Sequence, residues 1–300
     1  MLKVSIDFPN LISGELEIND ITVLMGKPMS GKTTLLRLIY DVIYASNSKV
    51  VPLEANIIAH EFLDGEMRVS VESGEARATI TCSSFEETTC NFEGDKIGYN
   101  ALFFPSEMEY ILKYGYCPVY YESYSAFYSL INKLKSGVKV PSYAISLPKG
   151  FITSRLEVKD FQLYENGEIR AELSSSSSLK LSFIVALLEK GLLGDPKTTL
   201  LLFDDVQENL HAEYMLKLAY LLGLMASKGY KILLTTHNLG FLSFLACIKG
   251  VQEALGYEEE FKITPRLYVV ENKRIEEYSI ASSAIPTYTD VFLNVYKRCG

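Results

Sequence analysis

The segment Gly26-Lys27-Pro28-Met29-Ser30-Gly31-Lys32-Thr33-Thr34 constrains this chain more than any other. It reads G-x-x-x-x-G-K-T, the spacing of a phosphate-binding loop. Glycine at 26 and 31 lets the backbone turn tightly and bring its N–H groups against phosphate oxygens. In such a loop Lys32 reaches the β- and γ-phosphates and the Thr33 hydroxyl ligates Mg²⁺. The flanks suit the motif. Ile21 to Met25 is a short apolar β-type run, and Leu35, Leu36, Leu38 and Ile39 have helical spacing. A helix starting near Gly31 points the positive end of its dipole at the phosphates.

Composition narrows the rest. The chain has 300 residues, 48% apolar and 22% charged, enough for one large domain or two lobes. Its net charge of −8 draws it neither to nucleic acid nor to an anionic membrane, leaving only a local basic patch for such contacts. Cys82, Cys90, Cys117, Cys247 and Cys299 are odd in number, scattered and without C-x-x-C spacing. That pattern predicts free thiols in a reducing compartment. Lys3, Asp7 and Glu15 interrupt any leading apolar segment, and the greasiest stretches, 179–193 and 215–225, carry lysines and are too short to span a bilayer. The expectation is a cytoplasmic chain without direct membrane insertion.

Along the chain, Leu2 to Phe8 and Gly14 to Ile18 read as strands before the loop, and the helix after it runs to about Tyr44, ended by Ser46-Asn47-Ser48. From Lys49 to Phe104 the pattern is period two: Met67, Val69 and Val71 face one way, and Ala76, Ala78, Ile80 and Cys82 resume the alternation after a turn. Residues 108 to about 141 read as a helical insertion broken near Gly115 and Pro118, with tyrosines at 110, 114, 116, 120, 121, 124 and 128. Phe151 to Leu173 returns to strands, with Glu165 to Glu168 as a hairpin turn. Ser174-Ser175-Ser176-Ser177-Ser178 abuts an apolar helical stretch, so capping explains the serines better than a linker does. Thr199 to Phe203 and Lys231 to Thr236 are buried strands, Ala212 to Ser227 is a long helix, and 267–280 closes as a hairpin.

Asp204-Asp205 closes the first of those strands and His237 follows the second. After a phosphate loop, a carboxylate at a strand end is placed to hold Mg²⁺. Asp205 is then placed as the general base for water, and His237 to bond the γ-phosphate.

With these motifs in order the chain resembles the ABC-type ATPases, within them the soluble branch of Rad50 and SMC heads and OLD-like ATPases. The resemblance implies an α/β P-loop fold of two lobes, with an antiparallel β subdomain and a small helical insertion. The expected division is a loop core over 1–48, the β region over 49–107, the insertion over 108–150 and a second lobe over 151–300. It implies ATP and Mg²⁺ as cofactors, nucleotide contacts from Gly26 through Thr34, and Mg²⁺ on Thr33 and Asp204. It places Ser174 to Ser178 as a signature that meets the ATP of a second copy in a head-to-tail dimer, and Val206 to His211 as the dimer-contact loop. Asp205 and His237 take the base and switch positions. Departures bear on rate: Asp205 is one methylene shorter than the usual Glu, the serine run has no Gly, and no Gln precedes Gln162. Glu107 is the stand-in for the usual Mg²⁺-contacting Gln. The expected function is a slow ATPase serving an unidentified protein partner or a nucleic-acid process. The alternatives are a non-hydrolysing ATP-dependent clamp or sensor, or a transporter ATPase subunit. The tyrosines could stack bases, but helically spaced Tyr more often packs an interface.

Overall fold

The computed structural model describes residues 1–84, 87–115, 121–152, 154–257 and 261–280. The chain opens with β1 (Leu2–Phe8), β2 (Ile12–Ile18) and β3 (Ile21–Gly26), then α1 (Lys32–Ser48) and α2 (Leu53–Phe62). Strands β4 (Glu66–Ser73), β5 (Ala76–Ser83), β6 (Thr89–Gly94) and β7 (Asn100–Phe104) follow, then α3 (Met108–Tyr114) and α4 (Glu122–Lys135). The second half comprises β8 (Leu156–Lys159), β9 (Gln162–Glu165), β10 (Ile169–Arg170), α5 (Ser176–Glu189), β11 (Thr199–Phe203), α6 (Ala212–Ser227) and β12 (Lys231–Thr236). It ends with α7 (Leu239–Ala246), α8 (Ile248–Leu255), β13 (Arg266–Glu271) and β14 (Arg274–Tyr278).

An eleven-stranded sheet runs β6-β5-β4-β1-β2-β14-β13-β3-β12-β11-β7, and β8 to β10 form a separate three-stranded sheet. Within the large sheet, β13, β3, β12, β11 and β7 are parallel neighbours. β3 and β11 are buried along their whole length, as strands covered on both faces must be, and they read as continuous apolar runs for that reason. β1 and β5 alternate buried with half-exposed or exposed positions, the signature of a sheet with one wet face. β12 lies between β3 and β11, so the phosphate-loop strand and the Asp204 strand are separated by one strand and end on the same edge.

Several expectations change here. The stretch 49–62 carries α2, whose buried face is Glu54, Ala55, Ile58 and Ala59. α1 runs four residues past Tyr44, because the Ser46 and Ser48 hydroxyls bond back to the carbonyls of Ile43 and Tyr44 and do not break the helix. Cys82 and Cys90 are not free: they face each other across β5 and β6 and form a disulfide. Cys247 is free and exposed, while Cys117 and Cys299 lie outside the described residues. Helix α4 packs into the core, burying Tyr124, Phe127, Leu130, Ile131 and Leu134. Tyr124 is therefore core, not a stacking platform, and Tyr116, Tyr120 and Pro118 lie outside the described residues. Among the described residues no helix is long and apolar enough to cross a membrane.

Under the α1–α2 corner sits a crowded acidic group. Asp41 is fully buried and neither carboxyl oxygen has a hydrogen-bond partner among the described residues. Burial pushes its carboxyl well above the usual carboxylate range, and the charges of Glu54 and Glu122 push the same way against Arg37. Burial also raises Glu54, opposed by the Ser123 hydroxyl at 2.7 Å and by Arg37. An acid whose folded-state pKa is raised binds its proton more tightly when folded. Its contribution to stability is present at acidic pH and is lost as pH rises from the unfolded value through the folded one. Asp41→Asn removes that loss. Urea unfolding should show the variant more stable than wild type at pH 8, by about 1–3 kcal/mol, with the gain shrinking toward pH 4. A variant less stable than wild type at pH 8 contradicts this account.

Candidate nucleotide site

The glycines of the loop are required first by packing. A Cβ on Gly26 would lie 2.9 Å from the Val270 carbonyl oxygen of β13, and Gly31 has φ 86° with a Cβ position 2.9 Å from Leu11. Met29, also left-handed at φ 62°, projects from the loop tip and is 98% exposed. Lys27 and Pro28 are exposed, and Ser30, Thr33 and Thr34 are half-buried. Lys32 turns back over the loop and donates to the carbonyls of Gly26 at 2.9 Å and Lys27 at 2.8 Å. Burial lowers its pKa, opposed by the charges of Asp205 and Asp204. A triphosphate would offer the same ammonium charged acceptors, which make the stronger bonds.

Loop and strand ends are joined through hydroxyls. The Thr33 hydroxyl donates to both oxygens of Asp204, at 2.9 and 3.0 Å, and the Thr235 hydroxyl donates to Asp204 Oδ1 at 2.7 Å. Thr235 also accepts the Asp205 N–H at 2.9 Å. Burial pushes the Asp204 carboxyl up to about 6; the two hydroxyl bonds oppose the rise and the Asp205 charge adds to it. A buried carboxylate beside a hydroxyl, all hard oxygen donors, fits Mg²⁺, whose charge would offset the burial. Thr33 and Asp204 are the residues that would hold it. Asp205 has φ 39°, and its Oδ1 meets both His237 Nδ1 and Gln207 Nε2 at 3.1 Å. Gln207 is almost fully buried. The sequence names neither Gln207 nor Thr235 as a site residue: Gln207 falls within the expected dimer-contact loop 206–211 and Thr235 within the strand before His237. The one signal was position, two residues after Asp205 and one strand-end before His237.

Glu107 does not join this group. Its carboxylate takes the hydroxyls of Tyr124 and Ser106, the latter at 2.7 Å, and these bonds outweigh burial to hold it below its usual range. Among the described residues no bond links it to Thr33 or Asp204.

The five serines divide. Ser175 caps α5, accepting the Ser178 N–H at 3.1 Å. Ser177 is buried, donates to the Asn209 carbonyl at 2.8 Å and accepts the His211 N–H at 3.3 Å. Ser178 donates to Glu165, and Ser174 to the Arg170 carbonyl at 3.3 Å. Only Ser175 is exposed and Ser176 half-exposed, near Lys113 at 3.4 Å. One turn on, buried Lys180 pairs with Glu109 at 2.9 Å and donates to the carbonyls of Ser106 at 2.8 Å and Glu208 at 3.0 Å. The cap of α5 is thereby tied to the segment after β7 and to the loop after Asp205.

Comparison with known proteins follows this geometry. The family model described as "AAA domain, putative AbiEii toxin, Type IV TA system" matches residues 104–243, slightly under half of the chain. The match takes in α3 through β12 and omits the phosphate loop. Among solved structures, an SMC head bound to the C-terminal winged-helix domain of ScpA aligns with TM-score 0.51 and 11% identity, over 93% of this chain and 97% of that one. The fold is that of an ABC-type ATPase head. The SMC head domain of Thermotoga maritima (TM-score 0.47, 15% identity, 93% and 98% covered) is a more distant likeness. So is an ATP-binding cassette of an ABC transporter in its ADP conformation (TM-score 0.47, 15% identity, 97% and 98% covered). The comparison with curated proteins returns no match.

Proposed function

We propose that this head binds Mg-ATP on its phosphate loop, hydrolyses it slowly, and closes head to tail with a second copy around two nucleotides to drive a partner process. The observation that carries the reading is the hydrogen-bonded line Thr33–Asp204–Thr235–Asp205–His237, which joins the loop to two strand ends. That line brings Thr33, Asp204, Asp205 and His237 together, which supports reading them as a metal-binding pair, a carboxylate for water and an imidazole sensor. When bound, Mg²⁺ would neutralise phosphate charge; Lys32 orients the β- and γ-phosphates, Asp205 engages the attacking water, and His237 senses the γ-phosphate. Exposed Ser175 and half-exposed Ser176 are the members of the run that reach the surface, where another copy could meet them. A protein partner belongs to this reading, as the SMC head neighbour carries a ScpA domain.

The test is phosphate release by wild type, Asp205→Ala and His237→Ala. Wild type should turn over. Both variants should lose about 100-fold or more in rate and keep ATP affinity within about tenfold, or ~1.4 kcal/mol. Variants that match the wild-type rate return both residues to structural roles. The second reading, a clamp without turnover, is favoured by one feature: Asp205 is short and pinned by two neighbours on the same oxygen. It predicts ATP binding with no phosphate release from wild type.

A further inference from the structure

Resting on that reading, the geometry points to Glu208 as a second carboxylate of the hydrolytic centre, which we propose accepts the proton that Asp205 is poorly placed to take. A ligand atom of Asp205, of Glu208 and of His237 lie all within 4.8 Å of one another. Their occupations differ. Asp205 Oδ1 is shared between His237 Nδ1 and Gln207 Nε2, both at 3.1 Å. Among the described residues no hydrogen bond or ion pair engages the Glu208 carboxylate, and its residue is only half-buried.

The backbone under Glu208 is held at both ends. Its N–H donates to the Asp205 carbonyl at 2.9 Å, and its carbonyl accepts from buried Lys180 at 3.0 Å. A glutamate has the longer reach, and this one hangs from a clamped backbone beside a pinned aspartate. The division of work follows. Asp205, oriented by His237 and Gln207, holds the attacking water. The water oxygen forms the new bond to the γ-phosphorus as the bond to the bridging oxygen breaks. ADP leaves with that electron pair, and the water proton passes to Glu208 and then to solvent. A base misplaced by about 1 Å can cost on the order of 100-fold in rate, so a second carboxylate with longer reach offsets the missing methylene of Asp205.

The test is a double-mutant cycle on phosphate release by the full chain, with Glu208→Gln and Asp205→Glu. Glu208→Gln should lower kcat by about 10- to 100-fold, since a positioned base contributes on the order of 10²–10⁴, and leave KM within about threefold. In the Asp205→Glu background, where the longer side chain reaches the water itself, the same change should cost less than about threefold. An undamaged fold is checked by unchanged ATP-induced thermal stabilisation. A Glu208→Gln rate equal to wild type overturns the role of Glu208 alone, and so does an equal loss in both backgrounds. A wild type that releases no phosphate overturns the hydrolytic reading itself.

Discussion

Lys180→Met should be the most damaging single substitution to the fold, costing about 3–5 kcal/mol. Lys180 is 1% exposed, and its ammonium is compensated by Glu109 and by the carbonyls of Ser106 and Glu208. Glu109 is itself buried and holds Asn209 Nδ2 at 2.8 Å through its other oxygen. Removing the ammonium strands a buried carboxylate and two carbonyls at the junction of α3, α5 and the loop after Asp205. For a chain of this size the loss corresponds to a fall in Tm on the order of 5–10 °C. Removing both charges together, as Lys180→Met with Glu109→Leu, should recover most of it, because no unpaired charge is left. Thermal melts of the two variants decide the matter. A single variant melting within about 1 °C of wild type, or a double variant worse than the single, contradicts this account.

Lys32→Ala should abolish stabilisation by ATP. A ligand at about 100 times its Kd raises the stability of the state that binds it by roughly 2.7 kcal/mol. Among the described residues the ammonium bonds only to the loop's own Gly26, Lys27 and Ser30, so the substitution should leave the nucleotide-free melt close to wild type. The expected pattern is an ATP-dependent rise in Tm for wild type and none for the variant. The same rise in both would refute the loop as the nucleotide site.

Much of the scaffold can be read from residues alone. β12 and α6 have the bounds expected from sequence: β12 carries the apolar run Ile232 to Leu234, and α6 is mostly apolar from Leu218 to Ala226. Helix α2 is hidden because its apolar face is narrow and small, Ala55, Ile58 and Ala59, and the sequence reading extends the alternation of β4 backwards over it. The Cys82–Cys90 pair depends on register: the two residues are eight apart, and only the pairing of β5 with β6 sets them opposite. Helices α7 and α8 carry no capping motif comparable to the serine run, apart from Asn238, which accepts the Phe241 N–H at 2.9 Å.

The site is legible in part. Thr33 and Asp204 are 171 residues apart, and motif order alone suggests their meeting. Gln207 and Glu208 fall in the expected dimer-contact loop and Thr235 in a buried strand, and their positions around Asp204 and Asp205 emerge only when β11 and β12 lie side by side. The family pattern sets a glutamine before the serine run, and this sequence has none before Gln162. The buried glutamine that reaches the Asp205 carboxylate comes after it, on the loop that leaves β11. The serine run reads as one motif yet folds as two groups, with Ser177 and Ser178 spent on contacts within the chain.

Closure of two heads around ATP is the central claim, and light scattering of Asp205→Asn measures it most directly, since slowed hydrolysis preserves the closed state. At tens of micromolar protein with Mg-ATP, the variant should scatter as a dimer, and with ADP as a monomer. Adding Ser176→Glu, at the half-exposed serine near the α5 cap, should return it to monomer by setting a charge against phosphate, while ATP still raises its Tm. A mass that stays monomeric with ATP contradicts the claim, and a dimer that forms equally well with ADP does so too.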